Sequence, residues 1–180
     1  MVKFMPKSSR KKIYDDEKKL IHELQINSNE SIDKLAKKCG FSRQKVWRII
    51  KRLEKNKTIW GYHAVVDNEK IKMNNYIMLV KGKTLPIGNP AEKDIVERTM
   101  DKQGKDIGIF VEDSMWLHGE YDWFVSFKAK DLKAAKQFYE LFTSQYSGKI
   151  LELKLMETIV TVKKDGFENP KIIENKKLLE

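Results

Sequence analysis

Apolar positions along the chain follow two different periods. In the first third they recur at helical spacing. Leu20, Ile21 and Leu24 sit at i, i+1 and i+4, the stripe of an amphipathic helix, with Asp15 and Asp16 placed to favour its N-terminus. Ile32, Leu35 and Ala36 repeat the pattern. Ser31 precedes them as an N-cap, and Gly40 can adopt the left-handed backbone that ends a helix. Ser42 then caps a third helix, with Val46, Ile50 and Leu53 turned inward. Only Gly40-Phe41 separates the second helix from the cap of the third, so the pattern predicts a helix-turn-helix unit. Thr58-Ile59-Trp60 and the run from Tyr62 to Val66 are rich in β formers and predict a wing or an outgoing strand.

From Tyr76 onward the period shortens. Tyr76-Ile77-Met78-Leu79-Val80 is the apolar run of a strand, and residues 85–90, with two prolines and a glycine, predict a loop. A helix over 91–102 follows, with Ile95, Val96 and Met100 inward. Ile107, Ile109 and Val111 alternate as a strand that Met115-Trp116-Leu117 extends. Trp123, Val125 and Phe127 alternate again. Asp131 opens a helix carrying Leu132, Ala135, Phe138, Tyr139 and Phe142 on one face. Leu151, Leu153 and Leu155 form a last strand running towards Val162. The order β-α-β-β-α-β predicts a ferredoxin-like α+β sandwich whose two helices cover one face of the sheet. The opposite face then needs a partner, and a homodimer uses one such patch twice.

Composition sharpens this picture in one respect. With 41% apolar and 34% charged residues the chain can bury a core. The charge, however, is segregated. Residues 1–61 hold 17 Lys+Arg against 7 Asp+Glu, or +10, whereas residues 62–180 hold 19 of each. A cationic head joined to a neutral body implies a polyanion as partner of the head. One cysteine, Cys39, and three histidines offer no disulfide framework and no metal-ligand spacing, and no stretch suits a membrane span or a secretory signal. The expected setting is cytoplasmic, without cofactor or metal.

A recognition helix reads bases with the donors at its N-terminal end. Ser42, Arg43, Gln44 and Lys45 occupy that end and Arg48 lies one turn further, so these five are candidate base contacts. Lys51 and Arg52, with Lys37, Lys38 and Lys55, suit phosphate. Trp47 reads as a packing or sugar-contact residue and Trp60 as core.

Two stretches resemble the Lrp/AsnC (feast/famine) family of transcription regulators. One is Leu35-Ala36-Lys37-Lys38-Cys39-Gly40-Phe41-Ser42 with Val46, Arg48, Lys51-Arg52-Leu53-Glu54 and Ile59-Trp60-Gly61-Tyr62; the other is Gly119-Glu120-Tyr121-Asp122. The resemblance spans about residues 15–162. It implies a winged helix-turn-helix domain at 15–66; residues 1–14, polar and basic, read as a flexible arm on which the resemblance says nothing. A linker at 67–75 leads to a ferredoxin-like oligomerisation and effector-binding domain at 76–163, and a tail at 164–180 is read as a frayed helix or a clasp on a neighbouring subunit. It further implies a sequence-specific regulator of double-stranded DNA, not an enzyme, that forms homodimers or larger assemblies. A small effector such as an amino acid would bind near His118, Gly119, Tyr121 and Asp122. Trp47, Ile49 and Lys57 depart from the family pattern; Lys57 stands where glycine is usual, which shifts the expected left-handed turn to Asn56. Two other readings stay open: an architectural DNA-binding protein of low specificity, and an enzyme resembling sirohaem decarboxylase subunits.

Overall fold

The computed structural model describes residues 10–83 and 96–174. The arm's residues 1–9, the expected loop at 85–90 and residues 91–95 of the expected helix lie outside them. The chain divides into two compact units, the first ending at Ala64 and the second beginning at Val65.

The first unit is three helices: α1 (Arg10–Ile26), α2 (Ile32–Cys39) and α3 (Arg43–Lys55). Helix α1 starts at Arg10, so residues 10–14 are its first turns and not part of an arm. The two serine caps form as expected: Ser31 Oγ accepts from the Lys34 amide at 3.3 Å and Ser42 Oγ from the Lys45 amide at 3.2 Å. Leu20, Leu35, Ala36, Cys39, Val46, Ile49 and Leu53 make the buried core, with Ile50 only partly covered. Ile49 is therefore a core residue, which removes it from the surface of α3. Burial also pushes the Cys39 thiol pKa up.

Helices α2 and α3 end in the same way. After α2 the amides of Gly40 and Phe41 donate to the carbonyls of Lys37 and Ala36; after α3 those of Lys57 and Thr58 donate to Glu54 and Leu53. Each is the paired-bond Schellman end, which puts one residue in the left-handed region. In α2 that residue is Gly40 (φ 68°) and in α3 it is Lys57 (φ 63°). Asn56 stays near φ −88° and uses its side chain instead, accepting from the Thr58 amide and hydroxyl. The expectation that Asn56 would take the turn is thus corrected. The β-rich stretch beyond it forms no wing: residues 58–66 enter no strand, and Trp60 is 94% exposed rather than core.

The second unit contains β1 (Asn74–Gly82), α4 (Thr99–Asp106), β2 (Phe110–Trp116), β3 (Trp123–Ala129), α5 (Leu132–Gln145) and β4 (Ile150–Glu157). The sheet order is β2-β3-β1-β4 and every pairing is antiparallel, the ferredoxin-like arrangement. Tyr76, Met78 and Val80 of β1 and Trp123, Val125, Phe127 and Ala129 of β3 point to one face, where they pack with Met100, Ala134, Ala135, Phe138 and Phe142 of the helices. Helix α4 approaches closely at Gly104, where a Cβ would lie 3.3 Å from the Phe138 ring. Several boundaries differ from expectation. The turn Asp106-Ile107-Gly108, with Gly108 at φ 77°, takes Ile107 out of the strand, and Val96 and Leu132 are exposed. Strand β4 stops at Glu157 and not near Val162.

Beyond β4 the described part of the tail, to residue 174, is not a frayed helix. Lys163–Lys164 (β5) pairs with Phe167–Glu168 (β6) around Asp165-Gly166, both at positive φ, the two-residue turn that suits a hairpin. Lys164 Nζ lies 2.6 Å from Glu112 on β2, and Lys171 Nζ lies 2.6 Å from Asp67, lowering that carboxyl's pKa. Among the described residues no helix is long and apolar enough to cross a membrane.

Candidate nucleic-acid interface

Helix α3 buries Val46, Ile49 and Leu53, and the helical repeat turns Gln44, Arg48, Lys51 and Lys55 to the opposite side. That ridge carries amide, guanidinium and two ammonium groups. The flanks are held differently. Lys45 Nζ lies 2.6 Å from Asp16 and 3.9 Å from the Phe41 ring centroid, and Arg52 Nε donates to Glu17 at 2.7 Å. Asp16 and Glu17 on α1 therefore tie α3 to the bundle. Arg43 Nε lies 2.9 Å from Asp33 on α2, with both side chains well exposed. Lys51 pairs along its own helix with Glu54 at 2.9 Å, and Tyr62 Oη donates to the same carboxylate. Lys51, with Tyr62, keeps the Glu54 pKa below its usual range. On α2, Lys38 is held between Glu30 and Glu23, which raise its pKa.

The expected residues thus separate into three groups. Gln44 and Arg48 project from the ridge with no ion pair or hydrogen bond among the described residues; Arg43 and Lys51 project but share exposed carboxylates. Ser42 acts as a cap acceptor, while Lys45 and Arg52 brace the bundle. The sequence reading did not identify Asp16 and Glu17 as the bracing partners. Their position one turn before Leu20, beside the buried stripe, was the available signal.

The second candidate site is the turn between β2 and β3. Asp122 is buried, and its carboxylate accepts from the Gly82 amide at 2.7 Å. Its own amide donates to the Val80 carbonyl and its carbonyl accepts from Leu117. It fastens the turn to the end of β1. His118 and Gly119 are exposed, and Tyr121 sits with its ring centroid 5.2 Å from Lys154 Nζ. Tyr121 and Glu152 together raise the Lys154 pKa. The four residues share one turn, in which His118 and Gly119 are exposed, Tyr121 is half-buried and Asp122 is buried.

Residues 16–54 match the AsnC-type helix-turn-helix domain family. The first module is an AsnC-type helix-turn-helix domain. Solved structures similar to the whole chain carry the same two-part plan. A Mycobacterium tuberculosis leucine response regulatory protein, LrpA, is 16% identical with TM-score 0.65, and the match covers 87% of this chain and 99% of that one. A Neisseria meningitidis transcriptional regulator solved with L-Met is 18% identical, TM-score 0.64, covering 87% and 95%. An AsnC family regulator from Agrobacterium tumefaciens is 19% identical, TM-score 0.59, covering 92% and 99%. At these identities the likeness establishes that the chain has the fold of Lrp/AsnC-type transcription regulators. No curated protein sequence matches it. In the AsnC-type module, the matched span contains both helices of the helix-turn-helix and nearly all of the outward ridge of α3.

A further apolar surface, exposed at Met115 and Met156 and half-buried at Ile77, Leu79 and Phe124, lies on the other side of the second module's sheet. Cross-strand register brings Ile77 and Leu79 of β1, Phe124 of β3, Met115 of β2 and Met156 of β4 together on the face opposite α4 and α5. Toward one end Lys128, itself buried, lies 2.9 Å from Glu112, which also holds Lys164.

Proposed function

We propose that this protein is a sequence-specific, DNA-binding transcription regulator that works as a homodimer or larger assembly and responds to a small effector. The observation that carries this reading is the ridge Gln44-Arg48-Lys51-Lys55, on which only Lys51 is seen paired with a carboxylate, Glu54, among the described residues, on the α3 of a module that holds the chain's entire net charge. Gln44 and Arg48 have the donor geometry that discriminates adenine and guanine edges in the major groove. Arg43, Lys51 and, on release from their carboxylates, Lys45 and Arg52 serve the phosphates; Ser42 sets the start of the helix.

Self-association uses the open sheet face, where aliphatic and aromatic area lies uncovered by either helix of its own module. Two copies then present two recognition helices, and the operator is a palindrome or near-palindrome. The effector is an amino acid or similar small molecule, as the L-Met complex of the Neisseria regulator suggests. His118, the exposed backbone at Gly119, and Tyr121 supply its contacts, and Asp122 holds their turn in place. The reading describes a binding protein of the cytoplasm that carries out no chemistry of its own.

Titrating fluorescent duplex DNA across a salt series tests this reading. Affinity falls by about 0.9 log unit per phosphate contact for each log unit of salt, and a duplex selected from a random pool binds about a thousandfold tighter than bulk DNA, the lower margin expected for specific readout. Binding that ignores salt, or equal affinity for both duplexes, overturns it.

A further inference from the structure

Trp47 stands on α3 at 53% exposure, outside the module's buried cluster. It has no ring partner and no cation over its face among the described residues. The core is complete without it, because Val46, Ile49 and Leu53 fill the inward side. A single exposed apolar side chain is ordinary on a protein surface; what distinguishes Trp47 is its place beside the outward polar groups of α3. Trp47 lies at i+3 from Gln44 and directly before Arg48, and it shares its flank with Arg43 and Lys51 at i−4 and i+4. Any ligand that receives the amide of Gln44 and the guanidinium of Arg48 must also meet the indole. Arg48, with Arg43 and Lys51, although these two share the carboxylates of Asp33 and Glu54, selects a polyanion, and the apolar group that duplex DNA presents in its major groove is the C5-methyl of thymine.

We propose that Trp47 is a specificity-determining residue that reads a thymine methyl beside the bases contacted by Gln44 and Arg48. The proposal rests on the DNA-binding reading given above. It assigns to the recognition helix a third reader that is apolar and so discriminates by shape and burial, with no hydrogen bond to the base.

The test uses the full chain. Duplexes are selected from a random pool by the wild-type protein, and each thymine of the selected sequence is then replaced singly by uracil, which removes only the methyl. Affinities are read by fluorescence anisotropy at constant salt for wild type, Trp47→Ala, Trp47→Leu and, as a control on another exposed indole, Trp60→Ala. At one thymine per half-site the wild type and Trp60→Ala lose about fourfold, the scale of exposing one buried methyl-sized group. Trp47→Ala shows no loss at that position and Trp47→Leu an intermediate one. Because the side chain is exposed, the thermal midpoint of Trp47→Ala matches the wild type. An equal uracil penalty in wild type and Trp47→Ala overturns the role of Trp47 while leaving the regulator reading intact. So does a Trp47→Ala that weakens selected and random duplexes alike. A wild-type protein that enriches no sequence overturns both.

Discussion

The two modules dispose of their charged and apolar groups in opposite ways. In the first, carboxylates on α1 and α2 take up Lys45, Arg52 and Arg43 around the rim of α3, and the crest of the helix is left cationic. In the second, cations and anions are equal in number, and several are tied internally, as in Lys128–Glu112–Lys164 and Lys171–Asp67. Its sheet leaves an apolar face uncovered by the module's helices. Each module thus exposes the kind of surface it has not satisfied internally, and the partner is expected to match: a polyanion for one, a second apolar face for the other.

That contrast can be broken most severely at the open face. Phe124→Glu puts a carboxylate into the proposed self-association surface, which costs several kcal/mol if it must be desolvated there. Sedimentation should show monomers, with weakened binding to a two-half-site duplex. A variant that stays dimeric removes the face from consideration. The next largest effect is local to the second module. Asp122→Ala leaves the Gly82 amide without its acceptor, at a cost of about 2 kcal/mol, seen as a lower unfolding midpoint; Asp122→Asn, which keeps an acceptor oxygen, restores most of it. An unchanged midpoint would mean that the carboxylate has no structural task.

On the first module Arg48→Ala should cost about 1–3 kcal/mol on a selected duplex and less on random DNA, whereas Lys51→Ala lowers both by similar factors. Arg43→Ala should have the smaller effect of the two arginines, because Asp33 already competes for that side chain. Competitive binding assays distinguish the three. The smallest effects belong to the matched helix ends. Gly40→Ala forces a Cβ into the left-handed region for about 1 kcal/mol, and Lys57→Gly relieves a similar strain. Chemical denaturation should move in opposite directions for the two. Equal signs would show that neighbouring contacts, rather than backbone conformation, dominate these turns.

Much of this was legible from spacing. The serine caps, the three-helix core and the β-α-β-β-α-β order are local or periodic signals, and they survive folding because burial and backbone bonding reinforce them. The errors have one character. Asn56 was expected to turn left-handed on residue preference, but the paired carbonyl bonds at the end of α3 require the next residue to do so. The stretch 58–66 has strand propensity and finds no strand to pair with. Asp165-Gly166 carries a two-residue hairpin signal that the surrounding charged tail obscures. At the candidate interface, residue type offers Gln44, Arg48, Lys45 and Arg52 alike as donors, and only the fold shows that the last two have ion-pair partners on another helix.

The amino-acid sequence by itself determined where helices start, which residues are apolar enough to be buried, and that the net charge sits in the first third. These depend on neighbours a few positions apart. Folding in three dimensions decided which cations are neutralised and which stay free, that Asp122 faces a backbone amide, and that Ile49 goes inward while Trp47 remains in water. Those outcomes depend on groups distant along the chain or on the angle at which one helix meets another, and distances of a few ångströms settle them.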